Sequence, residues 1–224
     1  SSGSEIVNSI GNAFNLAGGV NQNNVPLTIN NSGTFDLDGD FSNVDAGEGL
    51  VYNLTGSTFN FAGSTASDVD VYLYANYAGN TFEYDRGGNQ NIMAPQDNYV
   101  NLKVSGSGDK VSQGNLDIDG DLEISGTATL DVNTGSDAIN LSGNWTSTGT
   151  FDEGSQKVTF DGTSDQTITN SSGETFYNLV VNKTVGNVVL SSDIIIQTGA
   201  FLSLTRGLLQ SSSSNPIPIQ DNAG

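Results

Sequence analysis

The sequence predicts an all-β protein folded as a single-stranded parallel β-helix (β-solenoid), with residues 1–224 forming one segment of it. Three observations support this fold class. Apolar residues stand in short runs that alternate with polar residues, as in strands with one buried side. Spacers rich in glycine separate these runs, and the chain has 28 glycines. The sequence also repeats at a short fixed step, the one that leads from Leu116 to Ile139, which suits one coil, meaning one circuit of the chain around a solenoid axis.

The clearest repeat aligns residues 114–130 with residues 137–151. Pairs of apolar residues alternate with glycine or serine corners, and glycine permits the backbone angles that tight corners need. Stacked coils pair their strands in parallel at about 4.8 Å, so aligned residues are expected to lie side by side. The expected pairs are Leu116 with Ile139, Ile118 with Leu141, Asp121 with Asn144, and Leu122 with Trp145.

Two longer steps extend this alignment. One places Leu116 on Val188 and Leu122 on Ile194, and the other places residues 33–41 on residues 114–122. If both steps are whole numbers of coils, the aligned residues occupy equivalent strands. The coils are divergent in residues 1–100 and regular in residues 101–224. The alternative fold is a tandem of β-sandwiches, which also have short strands and frequent turns.

A phrase in which an aromatic residue is followed closely by Asn–Leu recurs between the spacers, as YNL, YVNL and FYNL. Its asparagines are Asn53, Asn101 and Asn178. An asparagine amide can bond to nearby backbone groups and tolerates unusual backbone angles. We therefore expect these asparagines to occupy one kind of corner or strand start. In the third copy, alternation predicts that Tyr177, Leu179 and Val181 share one side of a strand.

Composition excludes several classes of function. The formal charge of −19 repels phosphate backbones, so nucleic acid is excluded as a partner. The chain has neither cysteine nor histidine, which removes the thiolate nucleophile, the usual general base and the commonest transition-metal ligands. Its apolar runs span only a few residues, so no membrane insertion is expected. The chain stops in the polar stretch SSSSNPIPIQDNAG, from which we expect an internal piece of a longer chain.

Residues 158–209 carry a resemblance to a known kind of protein. The stretch VTFDGTSDQTIT, followed by ETFYNLVVNKTVGNVVLSSDIIIQTGAFLSLTRGLL, resembles a repeat of very large surface proteins of Bacteroidota bacteria. The resemblance covers about residues 100–224. Such proteins are secreted by the type IX system, and some act as adhesins, including in gliding motility. The resemblance implies an extracellular location at the bacterial cell surface and a stalk or adhesin role.

The motif Asp-x-Asp-Gly-Asp occurs twice and is the candidate metal site. Ca²⁺ binds clustered carboxylate and carbonyl oxygens, so it is the one candidate cofactor. An EF-hand is excluded because the position that needs a glutamate is Gly47 in one copy and Ala128 in the other. The alternative is that the aspartates are solvated corner residues. The candidate ligands are Asp36, Asp38 and Asp40 in the first copy, and Asp117, Asp119 and Asp121 in the second.

A stretch rich in tyrosine, DVDVYLYANYAGNTFEYD at residues 68–85, is the candidate binding surface. Alternation places Tyr72 and Tyr74 on the side opposite Val71 and Leu73, and Tyr77 follows. Outward tyrosines could stack on sugar rings because they combine an apolar body with a polar tip. The alternative is a packing surface for a neighbouring domain.

The sequence therefore predicts a non-catalytic, extracellular structural or adhesive segment of a large bacterial surface protein. The expected partners are the rest of the same long chain and either a surface polysaccharide or another cell-surface protein. A carbohydrate-binding module that uses Tyr72, Tyr74 and Tyr77 is the first alternative. A polysaccharide lyase or hydrolase is the second, because parallel β-helices also host such enzymes. The chain is not expected to be an enzyme, since its acidic clusters look like corners and its few cations are scattered.

Overall fold

A computed structural model describes residues 3–64, 71–132, 137–211 and 214, which form β-strands joined by short corners and contain no helix. The strands in the first half are β1 (Ser4–Asn8), β2 (Ala13–Leu16), β3 (Val20–Asn31), β4 (Thr34–Leu37), β5 (Phe41–Asn53), β6 (Thr58–Phe61), β7 (Val71–Tyr74), β8 (Thr81–Tyr84), β9 (Gln90–Ile92), β10 (Asn101–Val104) and β11 (Ser107–Ser112). Those in the second half are β12 (Leu116–Ile118), β13 (Leu122–Ile124), β14 (Thr127–Asp131), β15 (Ile139–Leu141), β16 (Trp145–Ser147), β17 (Thr150–Asp152), β18 (Lys157–Phe160), β19 (Gln166–Thr169), β20 (Glu174–Phe176), β21 (Asn178–Leu190), β22 (Ile194–Ile196) and β23 (Leu202–Gln210).

The chain winds through about eight coils of a parallel β-solenoid. The strands pair in parallel throughout the described residues, so the predicted fold class is confirmed and the alternative of β-sandwiches is wrong. We name three faces. The first face contains β1, β3, β5 and β7, and later β12, β15, β18 and the start of β21. The second face runs from β2 through β4, β6, β8, β10, β13, β16 and β19 to the end of β21, and the third contains β9, β11, β14 and β17.

The register confirms the short step. Leu116 pairs with Ile139, Ile118 with Leu141, and Leu122 with Trp145. The two longer steps are wrong. Val188 lies in the second-face part of β21, whereas Leu116 lies on the first face, and β4 is on the second face whereas β12 is on the first.

The longer steps fail because coil length varies along the chain. Paired positions on adjacent coils are separated by 19 residues at Ser142 and Asp161, but by 24 residues at Asp40 and Ser64. A fixed step counted over several coils therefore drifts from one face to another.

The core consists of inward side chains stacked from coil to coil. On the second face, successive rings of Phe14, Phe35, Phe59 and Phe82 are stacked with centroids 5.0, 4.9 and 5.0 Å apart. Further along the axis, the buried Trp145 packs edge-on against Phe151 and Phe176. Parallel strands held in register bring identical or similar side chains into contact, so the alternation seen in the sequence becomes one continuous core.

Glycine corners stack directly on one another. A Cβ atom on Gly143 would collide with the backbone carbonyl of Gly120, one coil earlier. Gly126 has φ of 69°, a conformation that other residues rarely adopt. The spacers are therefore rich in glycine because the corners of adjacent coils approach closely.

Asparagines form a ladder along the first face. Nδ2 of Asn8 donates to Oδ1 of Asn31 at 2.9 Å, and Nδ2 of Asn31 donates to Oδ1 of Asn53 at 2.9 Å, with all three side chains buried. The expectation of one shared corner is wrong, because Asn53 ends a strand whereas Asn101 and Asn178 begin β10 and β21.

The third copy of the phrase follows the predicted alternation only in part. Leu179 and Val181 share one side of the strand as predicted, and both are buried. Tyr177 is only half-buried, because it lies in the bend between β20 and β21 rather than in a strand.

Candidate functional site

Within the described part of the chain, four buried side-chain nitrogens each bind two backbone carbonyls of the preceding coil. The residues are Gln90, Lys110, Gln166 and Lys183, each at most 2% exposed. Each nitrogen donates to two carbonyl oxygens separated by one residue. The carbonyls of Phe61, Arg86 and Leu141 also accept a backbone amide, so the side-chain nitrogen is a second donor for them. The carbonyl pairs are Phe61 and Gly63 for Gln90 (2.6 and 2.8 Å), Arg86 and Gly88 for Lys110 (2.8 and 2.7 Å), Leu141 and Gly143 for Gln166 (2.9 and 2.5 Å), and Gly162 and Ser164 for Lys183 (both 2.8 Å).

Of these four residues, the two buried lysines are titratable, and their environment changes their pKa values. Nζ of Lys110 also donates to the carbonyl of Ser107 at 2.7 Å, and Nζ of Lys183 donates to Oε1 of Gln166 at 2.6 Å. Burial lowers the pKa of Lys110 to about 8, with a further contribution from the charge of Arg86, and burial also lowers the pKa of Lys183. Sequence reasoning missed these residues. The available signal was that Lys110 and Ser112 flank Val111 at the inward positions of one strand.

The first aspartate motif lies at the corner between β4, on the second face, and the start of β5. Asp36 is half-buried on the outer side of β4, and Asp38 and Asp40 are exposed. Oδ2 of Asp36 accepts a hydrogen bond of 2.8 Å from Nδ2 of Asn15, one coil earlier. Oδ1 of Asp40 accepts from the backbone amide and the hydroxyl group of Ser64. The carboxylates therefore separate to bind neighbouring coils.

The second motif lies at a different corner, between the first and second faces. Its three aspartates are exposed. Oδ1 of Asp117 accepts from Nδ2 of Asn140 at 2.5 Å, and Oδ1 of Asp121 accepts from the backbone amide and Nδ2 of Asn144 at 2.7 and 3.0 Å. Asp119 faces Nδ2 of Asn98 at 3.4 Å. A shallow groove of about 190 Å³ is lined by Asp117, Asp119 and Asp161 among others.

No group of three or more acidic residues within the described ranges has the geometry of a metal site. An acidic region follows the outer side of the second face, where Asp36, Asn60 and Glu83 lie in register. There burial raises the pKa of Asp85 to about 6, and the carboxylates of Glu83 and Asp36 raise it further. Further along, Nζ of Lys103 lies 3.4 Å from Glu83 and 3.6 Å from Glu123. The charge of Lys103 neutralises part of this acidic region.

Two buried carboxylates also have structural partners. Oε2 of Glu174 accepts hydrogen bonds from Nε1 of Trp145 at 2.8 Å and from Nδ2 of Asn170 at 3.2 Å. Glu153 accepts from Nε2 of Gln197. Burial raises the pKa of both carboxyl groups. Their hydrogen bonds link interior side chains from different coils.

The tyrosines lie on the outer side of the first face, and residues 68–70 of the same stretch lie outside the described residues. Tyr72 is 38% exposed, and Tyr74 and Tyr77 are half-buried. Tyr72 and Tyr74 lie on the outer side, opposite the buried Leu73. Tyr77 lies in the turn after β7, where its carbonyl accepts from the amide of Asn80. Tyr52, which the sequence did not single out, stacks on Tyr74 with centroids 4.8 Å apart and an angle of 13°. The signal for Tyr52 was its spacing of one coil length from Tyr74.

Comparisons with known proteins give no match for this chain. No protein-family model, no curated protein and no solved structure matches it. The described residues also contain no helix that is long and apolar enough to cross a membrane.

Proposed function

We propose that this chain is a non-catalytic structural and adhesive segment of a large extracellular protein on a bacterial cell surface. The observation that carries the proposal is that the polar and charged side chains bind the neighbouring coil. Lys110 and Lys183 bind carbonyls of the preceding coil, Asp36 and Asp121 bind asparagines of adjacent coils, and Glu174 binds an indole. Such bonds hold a solenoid at fixed coil spacing.

This arrangement produces an extended, stiff element. Each coil contacts mainly its neighbours, so the length of the element grows with the number of coils while its cross-section stays constant. The formal charge of −19 keeps such an element soluble and prevents it from adhering to anionic surfaces. The resemblance of residues 158–209 to repeats of Bacteroidota surface proteins supports the extracellular location.

The location can be tested on cells of the source bacterium. Antibodies raised against the chain should label intact cells, and a protease added outside should remove the signal. Labelling that requires permeabilised cells would overturn the extracellular assignment. Release of reducing sugar from polysaccharides by the purified chain would overturn its non-catalytic role.

The spacer role can be tested by changing the number of coils. Deleting residues 158–178 removes one whole coil and brings Leu179 into the place of Val158, its partner in the solenoid. This variant should fold and be shorter by about one strand spacing of 4.8 Å. Deleting only residues 158–167 removes about half a coil and should abolish cooperative folding. In the parent protein, the whole-coil deletion should preserve surface display, and loss of display would contradict a spacer role.

A further inference from the structure

The outer side of the first face carries a compact aromatic surface, which we call the tyrosine face and define by Leu50, Tyr52, Tyr72 and Tyr74. Leu50 lies in register with Tyr72, and Tyr52 with Tyr74, on the adjacent strands β5 and β7. Thr28 and Asn30 continue the same two columns on β3. The strands β1, β3, β5 and β7 form one sheet, so these side chains share one surface.

The side chains of the tyrosine face differ in what they can contact. Tyr52 and Tyr74 cover one face of each other, so the pair is held rigid by its stacking. Tyr72 has no ring contact among the described residues and is the most exposed of the three tyrosines. A flat ring without an aromatic partner is thus held beside two phenol groups whose positions are set by the sheet.

The charge around the tyrosine face restricts the ligand. The first lysine or arginine in the chain is Arg86, so residues 1–85 contain no cationic side chain. Among the described residues, two carboxylates lie beside these columns. Oε1 of Glu5 accepts a hydrogen bond of 2.8 Å from Nδ2 of Asn30, and Oδ1 of Asp97 accepts one of 2.9 Å from the backbone amide of Ala75, next to Tyr74. A phosphate, sulfate or uronate would find no counter-charge here. The charge therefore disfavours an anionic ligand.

The shape and chemistry of the surface favour a sugar. A pyranose ring has an apolar C–H face, which stacks on an aromatic ring, and hydroxyl groups, which exchange hydrogen bonds with phenol, amide and threonine groups. The tyrosine face offers the stacking ring of Tyr72, and beside it lie the polar groups of Tyr52, Tyr74, Asn30 and Thr28. Its flat, shallow form suits a chain that lies across the strands better than an apolar peptide side chain, which needs a pocket.

We propose that the tyrosine face binds a neutral polysaccharide through stacking on Tyr72. This inference rests on the proposed adhesive function and names the class of its ligand. Because single tyrosine contacts are weak, affinity depends on several sugar units that engage the rigid surface together.

The test uses electrophoresis of the native chain through gels that contain a soluble polysaccharide. Neutral β-glucan, galactomannan and arabinoxylan serve as probes, and alginate serves as an anionic probe. We expect at least one neutral polysaccharide to retard the chain, and alginate to have no effect. Tyr72→Ala should weaken the retardation at least tenfold, and Tyr72→Phe, which keeps the ring, should retain most of it. Tyr177→Ala, on a half-buried tyrosine outside the tyrosine face, is the matched control and should bind like the unchanged chain.

Two results would overturn the proposal. One is the absence of retardation by every neutral probe, and the other is equal retardation of the Tyr72→Ala and unchanged chains. Retardation by alginate alone would contradict the charge argument and equally reject it. A protein partner captured through Tyr72 in place of a sugar would also reject it. None of these results affects surface labelling of cells, so failure of this inference is distinguishable from failure of the proposed function.

Discussion

Nε1 of Trp145 donates a 2.8 Å hydrogen bond to Oε2 of Glu174, which lies 29 residues later and is itself buried. The bond joins the second face of one coil to the start of β20 in the next. A buried carboxylate is costly unless it receives such donors, and Glu174 has three, from Trp145, from Asn170 and from the backbone amide of Thr175. Its environment therefore makes stability depend on pH.

We expect Trp145→Phe to destabilise the fold by about 1–3 kcal/mol, because the carboxyl group of Glu174 loses its shortest hydrogen bond inside the solenoid. Burial already raises the pKa of Glu174 above its ordinary value. The folded state thus holds the proton to higher pH than the unfolded state, so this contribution is present at low pH and is lost as pH rises through the folded pKa. Urea denaturation from pH 4 to pH 8 should show a steeper loss for Trp145→Phe. Glu174→Gln removes the titrating group, and an unchanged pH slope in this variant would contradict the assignment.

Lys110 offers a second pH dependence of opposite sign. Its pKa is lowered to about 8, so the unfolded state binds its proton more tightly between pH 8 and the ordinary lysine value of 10.5. The contribution of Lys110 to the free energy of unfolding should therefore rise as pH increases from about 8 towards 10.5. Comparison with a variant that lacks this lysine removes the contributions of the other titrating groups. Lys110→Gln is that variant, because Gln90 occupies the paired position one coil earlier and binds carbonyls in the same way. Equal slopes for the two chains would refute the prediction.

Removing the side-chain donor of Lys110 altogether should lower the stability of the fold more than replacing it with glutamine. Lys110→Met fills similar space but leaves the carbonyls of Arg86, Gly88 and Ser107 without this donor. The carbonyls of Arg86 and Ser107 keep the backbone amides of Ser107 and Gly88 as donors, whereas the carbonyl of Gly88 loses its donor. An unsatisfied buried group costs about 1–3 kcal/mol, so Lys110→Met should be less stable than Lys110→Gln by about that amount. Chemical denaturation at pH 7 measures the difference. Similar stability of the two variants would show that the carbonyls find other donors.

Gly143→Ala tests the close approach of corners. The new Cβ atom would collide with the backbone of Gly120 and could be accommodated only by separating two coils. We expect a loss of more than about 2 kcal/mol, as for other overpacked sites. Gly18→Ala is the control, because no atom lies within 4 Å of its added Cβ. The thermal midpoints of the two variants should differ clearly, and equal midpoints would disprove stacking at this corner.

Calcium provides the last test. The exposed aspartates Asp117 and Asp121 already accept hydrogen bonds from Asn140 and Asn144 of the next coil. We therefore expect millimolar calcium to leave the thermal midpoint unchanged. A rise in the midpoint that EDTA reverses, that magnesium fails to reproduce, and that Asp119→Asn with Asp121→Asn abolishes would establish the calcium site that the motif suggested.

Sequence alone determined the fold class and the local register. Alternation of apolar and polar residues places Leu116 and Ile118 inward, and the short repeat step pairs them with Ile139 and Leu141. These features are predictable because a solenoid coil buries its apolar side only against the next coil, so similar residues must recur at the coil length. Alternation likewise placed Tyr72 and Tyr74 on the side of the strand opposite Leu73, which is buried.

Only the tertiary structure decided which face each strand occupies and which side chains meet. Coil length varies between 19 and 24 residues, so errors in counting coils accumulate along the chain, and the two aspartate motifs lie at corners that are not equivalent. The carbonyl partners of Lys110 in the preceding coil and the ring partner of Tyr74 lie about one coil away. Such contacts depend on the exact number of residues in each corner. That number sets the register between coils, and the local sequence pattern does not specify it.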